Sequence, residues 1–201
     1  MTNHPVNALI EMTRFLGQPH LDYVIIGEGN TSYRADQDRF WIKASGYGMN
    51  GIDENGFVEM YLAPILDLLD QPLAGDVLQA AMLAAKVDTA SPIRPSVEVS
   101  FHAALLHGCG VRYIGHTHPL AVNRILCSNR AEQFADNRLF PDEVVLCGPR
   151  SLLIPYTDPG LPLAVALRRG ARGYMDEHGE APKVILLQNH GLIALGDTPT
   201  E

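Results

Sequence analysis

Two histidines two residues apart, His116 and His118 in Gly115-His116-Thr117-His118-Pro119, have the spacing best suited to chemistry in this chain. On a β-strand such a pair points to one face. Arg112-Tyr113-Ile114, just before it, has strand composition, and Pro119, lacking an N–H, ends a ladder there. The two imidazoles could hold one metal ion, at about 2.0–2.1 Å each for zinc. Taken alone, the same pair also fits surface or core-edge histidines, so what converges on it decides.

Two further stretches do. Pro95-Ser96-Val97-Glu98-Val99-Ser100-Phe101-His102 opens an apolar helical pattern, with Pro95 and Glu98 expected in its first turn. Gln188-Asn189-His190-Gly191 lies between the apolar runs Val184-Ile185-Leu186-Leu187 and Leu192-Ile193-Ala194-Leu195, a strand–turn–strand junction where packing alone would favour apolar residues. Three histidines and a carboxylate on ordered elements match a zinc-type hydrolytic or lyase site. His102, four residues after Glu98 and on the same helical face, reads as a fourth ligand, a partner of the ligands, or a satisfied buried histidine.

Small polar loops supply a second kind of chemistry. Gly27-Glu28-Gly29-Asn30-Thr31-Ser32 is expected as a turn after a short strand at residues 24–26. Its glycines let backbone N–H groups approach an anion, although a plain hairpin turn fits equally. It lacks the third glycine and following helix of a dinucleotide fingerprint. A second such loop, Ala44-Ser45-Gly46-Tyr47-Gly48, follows the expected strand Phe40-Trp41-Ile42-Lys43. Together the two loops suggest an oxyanion or phosphate pocket.

The elements that must position these residues follow from periodicity. Val6, Leu9, Ile10, Thr13 and Leu16 form a helical stripe stopped by Gly17 and Pro19. Further helices are expected over residues 62–69, 75–86, 120–126, 131–138 and 161–178, the last stopped by Gly179. Strands are expected over residues 56–60, 144–146 and 152–154. Arg168, Arg169 and Arg172 read as a solvated face of the long helix. Many strands follow one another directly, which predicts one α/β domain over residues 1–201 with a largely antiparallel or mixed sheet.

Composition sets the outer bounds. At 201 residues and 46% hydrophobic content, the chain is long enough to bury a core without disulfide or metal staples. A net charge of −8 with no basic run argues against nucleic acid. No apolar run nears the roughly 20 residues of a membrane helix, and residues 1–8 show no signal-peptide pattern. Cys109, Cys127 and Cys147, widely spaced and odd in number, predict reduced thiols and a cytoplasmic protein.

As a set, Gly29-Asn30-Thr31-Ser32, Lys43-Ala44-Ser45-Gly46, Pro95-Ser96-Val97-Glu98, His116-Thr117-His118-Pro119 and Asn189-His190-Gly191 resemble the class II aldolase/adducin family. Its members include L-fuculose-1-phosphate aldolase and L-ribulose-5-phosphate 4-epimerase. The resemblance implies a three-layer α/β/α domain around a mostly antiparallel sheet. It implies His116, His118 and His190 as ligands of a divalent metal, with Glu98 as fourth ligand and acid/base. Zinc is the first expectation, with manganese, cobalt or iron as alternatives. It places a substrate anion at Gly29, Asn30, Ser45, Gly46 and Ser96. The implied partners are a small sugar-like substrate and further copies of the chain in a homotetramer, with sites shared between subunits.

The implied reaction is retro-aldol cleavage of a sugar phosphate or similar acidic hydroxy-carbonyl compound through a metal-stabilised enediolate. Epimerase, dehydratase and decarboxylase chemistry would use the same machinery, and a non-catalytic adducin-like module is the alternative of another class. Three departures stand out. Val97 replaces a serine common in the aldolases. Asn137-Arg138-Leu139-Phe140-Pro141-Asp142 holds no tyrosine where the aldolases lend a proton donor to a neighbouring subunit, which leaves Asp142 and Glu143 as substitutes. The sequence ends at Glu201, where family members continue into a further helix.

Overall fold

The computed structural model describes residues 6–201. Seven strands, β1 (Asn30–Arg34), β2 (Arg39–Lys43), β3 (Phe57–Tyr61), β4 (Tyr113–Thr117), β5 (Leu152–Ile154), β6 (Val184–Leu187) and β7 (Gly191–Gly196), form one sheet in the order β3-β2-β1-β4-β7-β6-β5. Every pairing is antiparallel except β5 with β6. The largest core lies on one face, where α2 (Leu62–Leu68), α4 (Val99–Gly108) and α8 (Leu161–His178) cover the sheet. On the other face sit α1 (Asn7–Leu16), α5 (Leu120–Leu126) and α6 (Ala131–Asp136). The remaining helices are α3 (Gly75–Ala84) and α7 (Pro141–Cys147). The result is the expected three-layer α/β/α arrangement around a mostly antiparallel sheet.

Burial on both faces explains the unbroken apolar strands. In β6, Ile185 and Leu187 enter the main core while Leu186 packs against Leu126 and Ala131 on the opposite side, so alternation with polar residues would bury unpaired groups. Helix α4 is buried from Val99 through Leu106 and is accordingly apolar nearly all round. Helix α1 buries Leu9, Ile10 and Thr13 of the expected stripe, and Thr13 meets Thr31 of β1 through their hydroxyls at 2.6 Å. Arg169 and Arg172 face solvent as expected, whereas Arg168 makes a forked ion pair with Asp70 at 2.6 and 3.1 Å.

Three local expectations are overturned. Residues 24–26 are not a strand: Ile26 is 99% exposed at φ 53°. That segment is tied down from outside the sheet, with His118 N donating to Tyr23 O at 3.0 Å and Leu120 N to Asp22 O at 3.0 Å. The first strand therefore begins at Asn30, so Asn30, Thr31 and Ser32 are ladder residues rather than a turn. Residues 144–146 are helical, inside α7. There Pro141 at the first turn, with Asp142 and Glu143 beside it, outweighs the β-propensity of two valines. Finally, α4 starts at Val99 with Glu98 at its N-cap position, and Pro95 lies outside it, bridged to Ala44. Ser45 N donates to Arg94 O at 2.9 Å and Ser96 N to Lys43 O at 3.1 Å, which brings the end of β2 alongside the approach to α4.

Candidate metal centre and anion pocket

His116 lies within β4, flanked by Asn30 of β1 and Ile193 of β7. It is fully buried, and its Nδ1 lies 3.0 Å from the Leu192 carbonyl. A carbonyl only accepts, so Nδ1 carries the proton and the Nε2 lone pair faces the site. His118 follows the strand end, its Nε2 3.0 Å from that of His116. His190 sits in the tight β6–β7 connection, where Asn189 takes the left-handed conformation at φ 56°, which asparagine tolerates better than most residues. The turn is pinned by Asn123 of α5, whose Nδ2 donates to His190 O at 2.9 Å. Asn123 carried no motif or periodicity signal in the sequence.

Glu98 completes the cluster. Its Oε2 is 3.4 Å from His116 Nε2 and its Oε1 is 3.4 Å from His190 Nε2. The three histidine ligand atoms lie within 4.8 Å of one another. Tetrahedral ligands at about 2.0–2.1 Å from an ion stand about 3.3–3.4 Å apart, so the cluster suits a divalent cation. Burial and the neighbouring imidazoles push the His116 pKa down to about 3 and that of His118 to about 4. The rings are therefore neutral donors at ordinary pH, and lone pairs this close call for a shared proton or a metal.

Close approach around this cluster requires two glycines. A Cβ on Gly191 would fall 2.6 Å from both His118 Cδ2 and Thr117 O, and one on Gly29, at φ 124°, would fall 2.7 Å from His116 O.

A cavity of about 480 Å³ opens beside the histidines, lined by Gly29, Asn30, Ser45, Gly46 and Ser96 together with Glu98, His118 and His190. The two loops and the metal-type cluster thus share one space. Ser96 Oγ accepts from Asn30 Nδ2 at 3.2 Å and from Glu98 N at 3.2 Å, leaving its own O–H to donate into the cavity. Ser45 spends its N–H on Arg94, so its hydroxyl is what it can offer an anion. Lys43 also lines the cavity and was not among the expected anion-binding residues. Only 6% exposed, it has a weak contact from Nζ to Ala44 O at 3.4 Å. Burial lowers its pKa, against the pull of Glu28 and Glu98. The available signal was a lysine closing an apolar strand just before the small residues of the second loop. Val97 lines the same cavity and is 64% exposed. Asp142 and Glu143 do not line it; the Glu143 carboxylate instead accepts from Leu139 N at 2.8 Å.

Asn30 Nδ2 also donates to Glu98 Oε2 at 2.7 Å. Behind it, His102 is fully buried, with Nε2 against Asn30 Oδ1 and Nδ1 2.7 Å from Ser32 Oγ. Of the three readings open for His102, the geometry excludes direct membership of the three-histidine cluster and makes it a hydrogen-bonded neighbour of Asn30.

The sequence model for the class II aldolase and adducin N-terminal domain matches residues 7–201. A curated relative, the uncharacterized oxidoreductase YuxG of Bacillus subtilis (strain 168), is 28% identical over 181 residues. That match covers 86% of this chain and 24% of YuxG, so the chain spans about a quarter of the length of the curated relative it matches. Among solved structures, the N-terminal class II aldolase domain of a conserved protein from Thermoplasma acidophilum superimposes with a TM-score of 0.73 at 23% identity, covering 99% of this chain and 87% of that one. L-fuculose-1-phosphate aldolase from Thermus thermophilus superimposes with a TM-score of 0.65 at 17% identity, covering 98% and 81%. At such identities the structures establish a shared fold.

Proposed function

Since the chain belongs to the class II aldolase and adducin N-terminal domain family, we propose that it is a metal-dependent lyase cleaving a sugar phosphate or similar acidic hydroxy-carbonyl compound. The observation that carries this reading is the junction of three histidines and Glu98 with a cavity also lined by Lys43, Ser45 and Ser96. A divalent ion, zinc first among the candidates, would supply Lewis acidity to an adjacent hydroxyl–carbonyl pair and stabilise the enediolate released on carbon–carbon cleavage.

The chain's own residues do the rest. His116, His118 and His190 would hold the ion. Glu98, whose Oε1 faces His190, takes the substrate hydroxyl proton as the carbon–carbon bond breaks and delivers it to the enediolate carbon, a role contributing typically about 10²–10⁴-fold. Ser45, Ser96 and Lys43 bind the substrate's anion, with Gly29 and Gly46 keeping the backbone close and Asn30 lining the pocket while its carboxamide holds Ser96 and Glu98. Anchoring this remote group fixes the reacting carbons against Glu98.

An epimerase, dehydratase or decarboxylase would draw on the same residues. An adducin-like binding module would have no need of four mutually placed ligand groups, and their retention favours an enzyme. The protein is also read as a homo-oligomer, a tetramer in the first instance. In support, Leu139, Phe140, Val145 and Leu146 are between 54% and 79% exposed along one segment around α7. Light scattering tests this, and a strict monomer overturns it.

The functional test is elemental analysis of the purified protein, then a panel of sugar phosphates and keto acids with the metal-loaded form, reading released carbonyl compounds. Carbonyl release that chelators abolish is expected. Absence of any bound divalent ion, or stereochemical inversion without cleavage across the panel, overturns the lyase assignment.

A further inference from the structure

The hydrogen-bond chain behind Glu98 has only one consistent direction. A carboxylate only accepts, so at 2.7 Å from Glu98 Oε2 the Asn30 carboxamide must present its nitrogen. Its Oδ1 then faces His102 Nε2, and because that oxygen also only accepts, Nε2 must carry the ring proton. A neutral ring with Nε2–H has a bare Nδ1, which takes the hydroxyl proton of Ser32 at 2.7 Å. Burial, with His116 nearby, keeps His102 neutral by holding its pKa well below the ordinary value.

We infer that Ser32, His102 and Asn30 form a directional chain that sets which way the Glu98 carboxylate points, making His102 a positioning residue for Glu98. The opposite tautomer would set two lone pairs against each other between His102 and Asn30. The carboxamide would have to turn over and bring its oxygen against the Glu98 carboxylate, which repels it. The chain thus anchors Oε2, while Oε1 takes no hydrogen bond among the described residues and faces His190.

The fold explains why these four residues meet. Asn30 and Ser32 are two apart on β1 and share the face turned to α4. His102 lies four residues beyond Glu98, one turn along the same flank of α4. Ser32 and His102 are fully buried behind Asn30 and Glu98, which line the cavity. Packing alone would have favoured an apolar residue at 102.

The inference rests on the proposed role of Glu98 only for its functional consequence, and two measurements separate them. In the metal-free protein with 15N-labelled histidine, the resonance lost in His102→Gln should report a protonated Nε2 and a bare Nδ1 throughout the neutral pH range. A protonated Nδ1 overturns the chain, whatever the protein binds. Competition titrations with Zn2+ and Co2+ supply the second measurement. His102→Met, which removes the donor to Asn30, should weaken binding roughly ten- to hundred-fold. His102→Gln, whose amide nitrogen replaces Nε2, should recover most of that loss. Equal affinity in the two folded variants also overturns the inference. Wild-type protein that takes up neither ion would instead end the metal reading and leave the tautomer result standing. Should His102→Met not fold, the wild-type spectrum and His102→Gln still decide.

Discussion

Glu98 spans two histidines drawn from distant parts of the chain, with Oε2 3.4 Å from His116 Nε2 and Oε1 3.4 Å from His190 Nε2. One carboxylate is thereby placed either to ligate a cation or to move a proton beside it. Glu98→Gln separates these roles, because the amide fills the same space but neither takes up nor releases a proton at neutral pH. It is expected to keep the bound metal and lose about 10²–10⁴-fold in kcat. Near-wild-type kcat would place the acid/base elsewhere.

His118→Ala is expected to lose metal and activity together, since it removes one of three converging imidazoles. Metal content by elemental analysis checks it. Full occupancy in a folded His118→Ala protein would show that the ion is held by other groups.

Metal-free protein should lose stability as pH falls below the ordinary histidine value of about 6.5. In the unfolded chain His116 and His118 protonate there, whereas in the native site they resist until about 3 and about 4. The unfolded state then binds more protons, so each fully buried imidazole contributes a loss of about 1.4 kcal/mol per pH unit across that window. The loss is smaller for His118, which is partly open to solvent. Above about pH 6.5 both forms are neutral and this dependence ends. Thermal unfolding between about pH 5 and pH 7.5 measures it, bracketing that ordinary value, and a flat profile would contradict the buried neutral pair.

Gly191→Ala should destabilise the fold by about 1–3 kcal/mol, because the new Cβ would meet the Thr117 carbonyl and the His118 ring at 2.6 Å. The backbone cannot yield there without moving His118, so metal affinity should fall with the melting temperature. A variant with unchanged melting temperature and metal affinity would refute this packing argument.

Lys43→Met should raise the KM of a phosphorylated substrate about ten-fold or more with a smaller effect on kcat. The lost interaction is a charge-assisted hydrogen bond of about 1.5–3 kcal/mol. Inorganic phosphate should compete with substrate in the wild-type protein and lose that ability in the variant. Competition of equal strength in both would remove Lys43 from the anion pocket.

How far the sequence alone reaches is visible in particular residues. His116 and His118, two apart on a strand ended by Pro119, and His190 in a turn between apolar strands, could be picked out because ligand type and local period are written within a few positions. The mostly antiparallel sheet and the long helix α8 with its Gly179 stop were legible for the same reason. Tertiary structure decided what depends on pairing between distant segments. Register set Asn30 opposite His116, which turned an expected loop residue into a strand residue aimed at Glu98. Helix-start signals at Pro141 overrode the β-propensity of residues 144–146. The burial of Lys43, the grip of Asn123 on the His190 turn, and the passage from Ser32 through His102 to Glu98 have no local signature. Each arises where strands and helices far apart in the chain exclude water from the same small volume, and there a buried polar group must find its partner across the fold.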